Sequence, residues 1–235
     1  MMVGLDDVVV RYGEVTALDS VSLTVPAGQV SAVVGGDGAG KSTLLRTLVG
    51  RVAPDSGHVR APDEARIGYQ PARGGSWPDL TVAENMAFVA GMYGLSQGRA
   101  LRRSERLLER AGLSEARDRL SSQLSGGMRT KLGFCLAMVH EPELLVLDEP
   151  STGVDPVSRV ELWRLLSETA AAGTAVLMAT TYMEEGERSS HVTILEHGRI
   201  LLEGPPADVV ASSPGVVYTT GKPTRAEFSW RHADG

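Results

Sequence analysis

Residues 30–49 read VSAVVGGDGAGKSTLLRTLV: an apolar run breaks into glycines, and apolar side chains then resume at helical spacing. This order predicts a buried strand, a loop and a helix. The loop matches G-x-x-x-x-G-K-[ST], in which small residues let the backbone close around an anion at the positive end of a helix. The segment therefore restricts the chain to an α/β fold with a phosphate-binding loop.

The phosphate loop, residues 35–42, also predicts the roles of its side chains. Lys41 would reach the β- and γ-phosphates of a nucleotide, and the Ser42 hydroxyl would take a place on Mg²⁺. The nucleotide-binding set predicted here is Gly35, Gly36, Asp37, Gly38, Ala39, Gly40, Lys41, Ser42 and Thr43. The alternative is a glycine-rich turn that matches by chance, which the predicted strand and helix on either side disfavour.

Length and composition limit the remaining possibilities. A chain of 235 residues suffices for one α/β domain with an added lobe. A formal net charge of −6 argues against an extended nucleic-acid surface, so no nucleic-acid partner is expected. The single cysteine, Cys135, lies in the apolar run FCLAM, which indicates a buried thiol. No run approaches the roughly 20 apolar residues of a membrane span, so we expect a cytoplasmic location.

The order of patterns predicts an inserted helical lobe. Residues 3–10 and 21–25 alternate as strands of an antiparallel edge. After a loop rich in Gly and Pro, T-x-x-E at residues 81–84 is a capping box that opens an apolar stripe through Met86, Phe88, Val89 and Met92. We therefore predict a single domain over 1–235, with a core at 1–71 and 142–210, a helical subdomain at 72–141 and a weakly structured tail at 211–235.

Two acidic residues follow the apolar run LLVL of residues 144–147, which is typical of a strand buried on both faces of a parallel sheet. Ligands of such sheets bind at the carboxyl ends of the strands. Asp148 would hold Mg²⁺ through water, and Glu149 would polarise the attacking water as a general base. Either residue alone could merely cap the next loop, but together with the phosphate loop they predict catalysis. A further helix would begin at Asp155 and Pro156 and pack through Val160, Trp163 and Leu166.

Residues 124–128, LSGGM, supply a second anion site at a predicted helix start, with Ser125, Gly126 and Gly127 in it. No partner for this site is evident in its own lobe. At this point the chain resembles the ATP-binding-cassette (ABC) ATPases, whose signature is LSGGQ. The resemblance runs from about residue 3 to residue 210, and its motifs agree in type and order.

This resemblance implies a P-loop NTPase (RecA-like) parallel-sheet core with an antiparallel β subdomain and an inserted helical subdomain. It implies ATP and Mg²⁺ as ligands, Tyr12 as the aromatic that stacks on adenine, and contact between two chains through residues 151–155. In the family, two such chains stack head to tail, and the signature of one covers the γ-phosphate bound by the other. The implied partners are a second nucleotide-binding domain and a membrane permease, on the inner face of the plasma membrane.

Three details refine the resemblance to the branch of multidrug and antibiotic export ATPases. Met128 stands in place of the final glutamine of the signature, and the runs DEPSTGVDP and TTYMEEGER are similar to that branch. The chain would then couple ATP binding and hydrolysis to export through a separate permease. The permease, rather than this chain, would contact the transported molecule.

Two positions depart from the family pattern. Where members read I-G-Y-x-P-Q, this chain has Ala72 in place of the glutamine, with Gln70 two positions early. Thr181 occupies the place of the switch histidine. A threonine hydroxyl can bond a phosphate oxygen but cannot carry the charge of imidazole. Our hypothesis is that the chain hydrolyses ATP slowly at its own site and lends its signature to a partner; the alternative is a homodimer in which Thr181 and Gln70 suffice.

Two other functional classes remain to be weighed. A cassette ATPase that acts on ribosomes or DNA without a permease would usually carry two cassettes, long coiled coils or zinc modules, and the sequence has none of these. A kinase or GTPase using the same phosphate loop is disfavoured by the Ser125-Gly126-Gly127 signature and by the absence of a guanine-specificity motif.

Overall fold

The computed structural model describes residues 3–72 and 74–212, so most of the predicted tail at 211–235 lies outside the described residues. Nine strands and seven α-helices are formed within this part of the chain. They are β1 (Val3–Tyr12), β2 (Val15–Val25), β3 (Val30–Val34), α1 (Lys41–Leu48), β4 (Ser56–Arg60), β5 (Ile67–Gln70), α2 (Val82–Met92), α3 (Gln97–Arg110), α4 (Gly126–Met138), β6 (Leu144–Asp148), α5 (Pro156–Ala171), β7 (Ala175–Thr180), α6 (Met183–Arg188), β8 (His191–Glu196), β9 (Arg199–Gly204) and α7 (Pro206–Ser212).

The larger sheet places the predicted site residues at one edge. Its strand order is β5-β6-β7-β3-β8-β9, and all neighbours are parallel except β8 and β9. Every residue of β3, β6 and β7 is buried, as expected for strands covered on both faces. Because parallel strands end at the same edge, the loop after β3 and the acidic pair at the end of β6 lie on the same side of the sheet.

The smaller sheet has the order β2-β1-β4 and is antiparallel throughout. The predicted antiparallel edge is thus confirmed, although β2 begins at Val15, earlier than the predicted start at residue 21. The early part of β2 is mostly exposed, so the alternation of apolar and polar residues that signals a strand is weak there. Apolar residues of this sheet, Leu44, Leu45 and Leu48 of α1 and apolar residues of the larger sheet together form one of the two hydrophobic cores.

Helices α2, α3 and α4 lie between β5 and β6, as the sequence predicts for an inserted lobe. The capping box is confirmed, because the Glu84 N–H donates to Thr81 Oγ1 and the Thr81 N–H donates to a Glu84 carboxylate oxygen. The predicted stripe is only partly a packing face: Met86 is fully buried, whereas Phe88 is 47% and Met92 70% exposed. The buried face of α2 instead repeats every fourth residue, which α-helical geometry places on one side.

Helices α4 and α5 pack in the second core. Cys135 is buried, and this burial raises the pKa of its thiol to about 12, which agrees with the predicted structural role. Helix α5 begins as predicted, since Asp155 accepts a hydrogen bond from the Ser158 N–H and Pro156 opens the first turn. Trp163 and Leu166 are buried, but the prediction that Val160 packs inward is wrong, because this side chain is 58% exposed.

Within residues 3–72 and 74–212, no helix has both the length and the hydrophobicity that crossing a bilayer requires.

Candidate nucleotide site

The phosphate loop leaves β3 at Gly35 and enters α1 at Lys41, so strand, loop and helix follow in the predicted order. Gly40 caps the helix with φ 107°, a left-handed conformation that L side chains rarely adopt. A Cβ atom at this position would also lie 2.6 Å from the Ala17 carbonyl oxygen of β2. The sequence requirement for glycine here is therefore both conformational and steric.

Lys41 is held by a set of oxygens at the start of the loop. Its side chain is only 5% exposed, and Nζ donates to the carbonyl oxygens of Gly35 at 2.8 Å and Gly36 at 3.0 Å. The same Nζ lies 3.2 Å from Glu149 Oε1. The structure thus joins the predicted phosphate-binding cation directly to the predicted general base, a contact that the sequence did not reveal.

Two hydrogen bonds fix Glu149 in addition to its contact with Lys41. Its backbone lies at φ 47°, and its N–H donates to the Ala179 carbonyl oxygen at 3.0 Å. Its second carboxylate oxygen accepts a hydrogen bond from Thr152 Oγ1 at 3.1 Å. A non-glycine residue with positive φ is uncommon and is often found at functional sites. The carboxylate is consequently aimed into the phosphate loop rather than into solvent.

Asp148 is the last residue of β6 and contacts the phosphate loop at Ser42. Its Oδ1 accepts a hydrogen bond from Ser42 Oγ at 3.1 Å, and the residue is buried. Burial raises the pKa of Asp148, the Ser42 hydrogen bond opposes part of that rise, and the charge of Glu149 adds to it. A cation beside Asp148 would favour its ionised form.

The Ser42 hydroxyl and the Asp148 carboxylate form an oxygen pair suited to Mg²⁺, which binds one or two protein oxygens and keeps water and phosphate as its other ligands. The part of the chain that the structure describes holds no group of three or more His, Cys, Asp or Glu side chains that could bind a metal by themselves. The donor set therefore fits a metal that arrives together with a phosphate ligand.

A cavity of about 400 Å³ opens beside these residues. It brings together the predicted residues Tyr12, Asp37, Gly38, Ala39, Gly40, Lys41, Ser42, Thr43 and Glu149. Tyr12 lines the cavity and is 51% exposed, so its ring is accessible to a planar ligand ring. Five lining residues were not predicted: Val15, Thr16, Ala17, His197 and Gly198. They come from β2 and from the β8–β9 turn, which no local motif connects to the phosphate loop.

The signature loop, residues 124–128, lies away from this cavity, and none of Ser125, Gly126 and Gly127 lines it. Ser125 caps α4 by accepting a hydrogen bond from the Met128 N–H at 3.2 Å. A Cβ atom at Gly127 would lie 2.2 Å from Ser158 Oγ of α5. The signature loop is therefore packed tightly against the start of α5, directly after residues 151–155.

Comparison with known proteins matches residues 18–152 to the ABC transporter family. Over 221 residues the chain is 38% identical to the Nod factor export ATP-binding protein I of Paraburkholderia xenovorans, covering 89% of this chain and 73% of that protein. The chain belongs to the ABC transporter family. It is an ABC-type ATPase, and the predicted family and fold are confirmed.

Other relatives carry names from the same family. The cassette is 37% identical to the probable multidrug ABC transporter ATP-binding protein YbhF of Escherichia coli, with 88% of this chain and 38% of that protein covered. It is 37% identical to the daunorubicin/doxorubicin resistance ATP-binding protein DrrA of Streptomyces peucetius, with 86% and 64% covered. The cassette thus spans well under half of YbhF and slightly less than two thirds of DrrA.

Solved structures agree with this assignment. The cassette matches an ATP-binding subunit of an ABC transporter with a TM-score of 0.80 and 27% identity, covering 88% of this chain and 91% of that chain. It matches cbiO1 of Clostridium perfringens, described as part of the transporter complex cbiONQ, with a TM-score of 0.79 and 26% identity, covering 89% and 90% of the two chains.

The early glutamine of the cassette does not lie at the nucleotide cavity. Gln70 is buried, and its Nε2 donates to the Thr130 carbonyl oxygen of α4 at 3.3 Å. It packs where Gly133 has no side chain, since a Cβ atom there would lie 2.8 Å from Gln70 Nε2. Gln70 thus ties β5 to α4, while Ala72 is exposed and short.

Thr181, which stands in place of the switch histidine, belongs to the turn after β7. The turn after β7 is set by Thr180, which accepts a hydrogen bond from the Tyr182 N–H at 3.0 Å and donates to Glu185 Oε2 at 2.5 Å. Arg159 of α5 lies over the Tyr182 ring at 4.6 Å. Thr181 is the exposed residue of this turn.

Proposed function

We propose that this chain is the ATP-binding subunit of an exporter, and that it couples ATP binding and hydrolysis in a dimer of cassettes to transport through a separate permease. The observation that carries this proposal is the cluster of Lys41, Ser42, Asp148 and Glu149 at one edge of the sheet. The name of the relative from Paraburkholderia xenovorans, a Nod factor export protein, supports the direction of transport. The chain would lie on the cytoplasmic face of the plasma membrane as a single nucleotide-binding domain, with 72–141 as its helical subdomain.

The residues of the cavity have separable tasks. The amides of the phosphate loop and Lys41 bind the triphosphate, and Tyr12 stacks on the adenine ring. Ser42 and Asp148 hold Mg²⁺, which when bound neutralises charge on the phosphates. Arriving phosphate oxygens compete with the Glu149 carboxylate for Lys41, so ATP binding frees Glu149 to accept a proton from the attacking water.

The other half of the reaction site comes from a second cassette in this proposal. Ser125 caps α4, and Gly126 and Gly127 form its first turn, whose backbone N–H groups have no partner within the helix; the nucleotide cavity of their own chain does not include these three residues. A second chain stacked head to tail would place this anion site over its γ-phosphate. Residues 151–155 lie beside the signature loop and would form part of the same contact.

We further propose that the chain's own site hydrolyses ATP slowly. The Gln70 side chain is hydrogen-bonded to α4, the Ala72 side chain has no polar group, and Thr181 has no imidazole. The Thr181→His, Ala72→Gln double variant is therefore expected to raise MgATP turnover of the purified chain about tenfold or more, since positioned acid–base groups contribute ~10² to 10⁴ in rate. A coupled phosphate-release assay on both proteins measures this.

The control for this gain is the Thr181→Asn, Ala72→Gln double variant, which places an uncharged amide instead of a titratable ring at position 181. Wild-type turnover of about 1 s⁻¹ or more, the lower end of ordinary enzyme rates, that is lost on Glu149→Gln would contradict the slow-site hypothesis. It would favour a homodimer in which the existing residues suffice.

The permease is expected to dock on the helical subdomain. A cavity of about 770 Å³ lies between α2 and α3, and its apolar lining consists of alanine and leucine side chains and of Gly91. Glu84, Glu105 and Glu109 line it together with one cation, Arg117. Cytoplasmic segments of membrane proteins carry an excess of Lys and Arg, so this acidic margin suits a basic amphipathic helix of a permease.

Filling that groove tests the docking. Ala87 is exposed in the groove, and Ala87→Trp is expected to abolish co-purification of the polytopic membrane partner while MgATP affinity stays unchanged. Mass spectrometry of detergent-solubilised complexes gives the readout. Ala171→Trp, at the exposed end of α5, is the matched control and should retain the partner.

The same experiment separates the exporter from a cassette ATPase that works without a permease. Recovery of ribosomal proteins or DNA with the wild-type chain, and of no polytopic membrane protein, would favour that alternative.

A further inference from the structure

The two-residue turn between β8 and β9 lies against the phosphate loop. The Gly198 N–H donates to the Ala39 carbonyl oxygen at 2.9 Å, and the Gly198 carbonyl oxygen accepts from the Asp19 N–H at 2.8 Å. The Arg199 guanidinium donates to Asp19 Oδ2 through Nε at 2.8 Å and Nη2 at 2.6 Å. The turn is thus anchored on one side to the phosphate loop and on the other to β2.

His197 is the first residue of this anchored turn. It has φ 46°, is exposed, and lines the nucleotide cavity. Positive φ is uncommon outside glycine, and Asn, Asp and His tolerate it best. Two-residue hairpins of this kind most often carry Asn-Gly. The turn does not require an imidazole, and its anchoring fixes one at the wall of the cavity.

The position of the turn assigns His197 to one half of the cavity. Lys41 and Glu149 are ion-paired where the γ-phosphate would bind, whereas Tyr12 and Val15 bring the end of β1 and the start of β2 to the lining. The turn is bonded to β2 through Asp19, and β2 also supplies the lining residues Val15, Thr16 and Ala17. The turn therefore places His197 on the β2 side of the cavity, and Tyr12 lies on β1, the strand that pairs with β2.

We propose that His197 is a nucleotide-binding residue whose imidazole hydrogen-bonds the ribose or the base of ATP. A neutral imidazole offers one donor and one acceptor nitrogen, which suit a ribose hydroxyl or a purine ring nitrogen. This inference rests on the proposed ATP-binding function and adds a contact from the β8–β9 turn to those of Tyr12 and the phosphate loop. It gives the cassette a second side chain that distinguishes a nucleotide from bare phosphate.

The test compares ATP with inorganic tripolyphosphate, which has the phosphates and lacks the nucleoside. His197→Gly removes the ring and favours positive φ, so it retains the turn. It is expected to weaken MgATP binding about 2- to 10-fold, as loss of one hydrogen bond would, and to leave tripolyphosphate affinity unchanged in titration calorimetry. His197→Asn keeps a donor and an acceptor, so its MgATP affinity should lie between those of the wild type and His197→Gly. His58→Asn changes an exposed histidine of β4 and should bind MgATP as the wild type does.

Each other outcome has a distinct meaning. Unchanged MgATP affinity in His197→Gly, with an unchanged melting temperature, would overturn the assignment of His197 while the proposed function stands. Equal losses for ATP and tripolyphosphate would overturn it as well, because they would place His197 at the phosphates. Failure of the wild-type chain to bind ATP at all would instead overturn the proposed function.

Discussion

Replacing Lys41 with alanine is expected to weaken MgATP binding by about 10²-fold or more. Lys41 Nζ is buried and donates to two carbonyl oxygens within the loop, so it is fixed where phosphate oxygens would converge. Hydrogen bonds to charged groups contribute about 1.5–3 kcal/mol each, and two such bonds to phosphate account for a loss of this size. Titration calorimetry with MgATP measures the affinity directly.

The matched control is Lys131→Ala. Lys131 is also buried and ion-paired, at 2.7 Å from Glu161, but it lies in the contact of α4 with α5 and does not line the nucleotide cavity. The Lys131→Ala substitution should lower the stability of the fold while leaving the ATP affinity near the wild-type value. If the two alanine variants lost affinity equally, the effect of Lys41 would be one of folding, and its role in phosphate binding would be rejected.

Replacing Glu149 with glutamine is expected to reduce MgATP turnover by about 10² or more relative to the wild-type chain, because a general base contributes ~10² to 10⁴ in rate. The same change should leave ATP affinity equal or higher. Glu149 is paired with Lys41, so in the proposed mechanism an arriving phosphate has to displace its carboxylate, and a neutral amide would compete less well. Single-turnover hydrolysis and equilibrium binding together separate the two effects.

Glu143→Gln is the control for this variant, since Glu143 is an exposed carboxylate just before β6 that pairs with Arg66. Its removal should change neither turnover nor affinity. Turnover of Glu149→Gln equal to that of the wild type would show that another group activates the water.

Much of this fold could be predicted because its signals are local. The strand, loop and helix around the phosphate loop, the capping box at Thr81 and the start of α5 at Asp155 each depend on residues within one or two turns of chain. The apolar run just before Asp148 likewise predicted a central strand of the parallel sheet. Where such signals were weak, as in the first half of β2, the predicted boundary was wrong.

The parts that could not be predicted depend on packing between distant segments. Nothing near His197 indicates that its turn rests on the phosphate loop, because that contact joins residues about 160 positions apart. The ion pair of Lys41 with Glu149 depends on the sheet order, which puts only β7 between β3 and β6. The exposed positions of Phe88 and Val160 depend on which face of each helix meets a neighbour, and an apolar pattern alone does not identify that face.

The close approach of Gly127 to Ser158 has a consequence for how two cassettes would work together. The Ser158 side chain fills the space that Gly127 leaves open, and Lys131 and Glu161 bridge the same two helices, so the start of α4 is packed against the start of α5. In the proposed dimer, the signature loop that would face the partner's phosphate and the loop that follows Glu149 would therefore move together. A closing movement at one nucleotide site would then be transmitted to the other site through this contact.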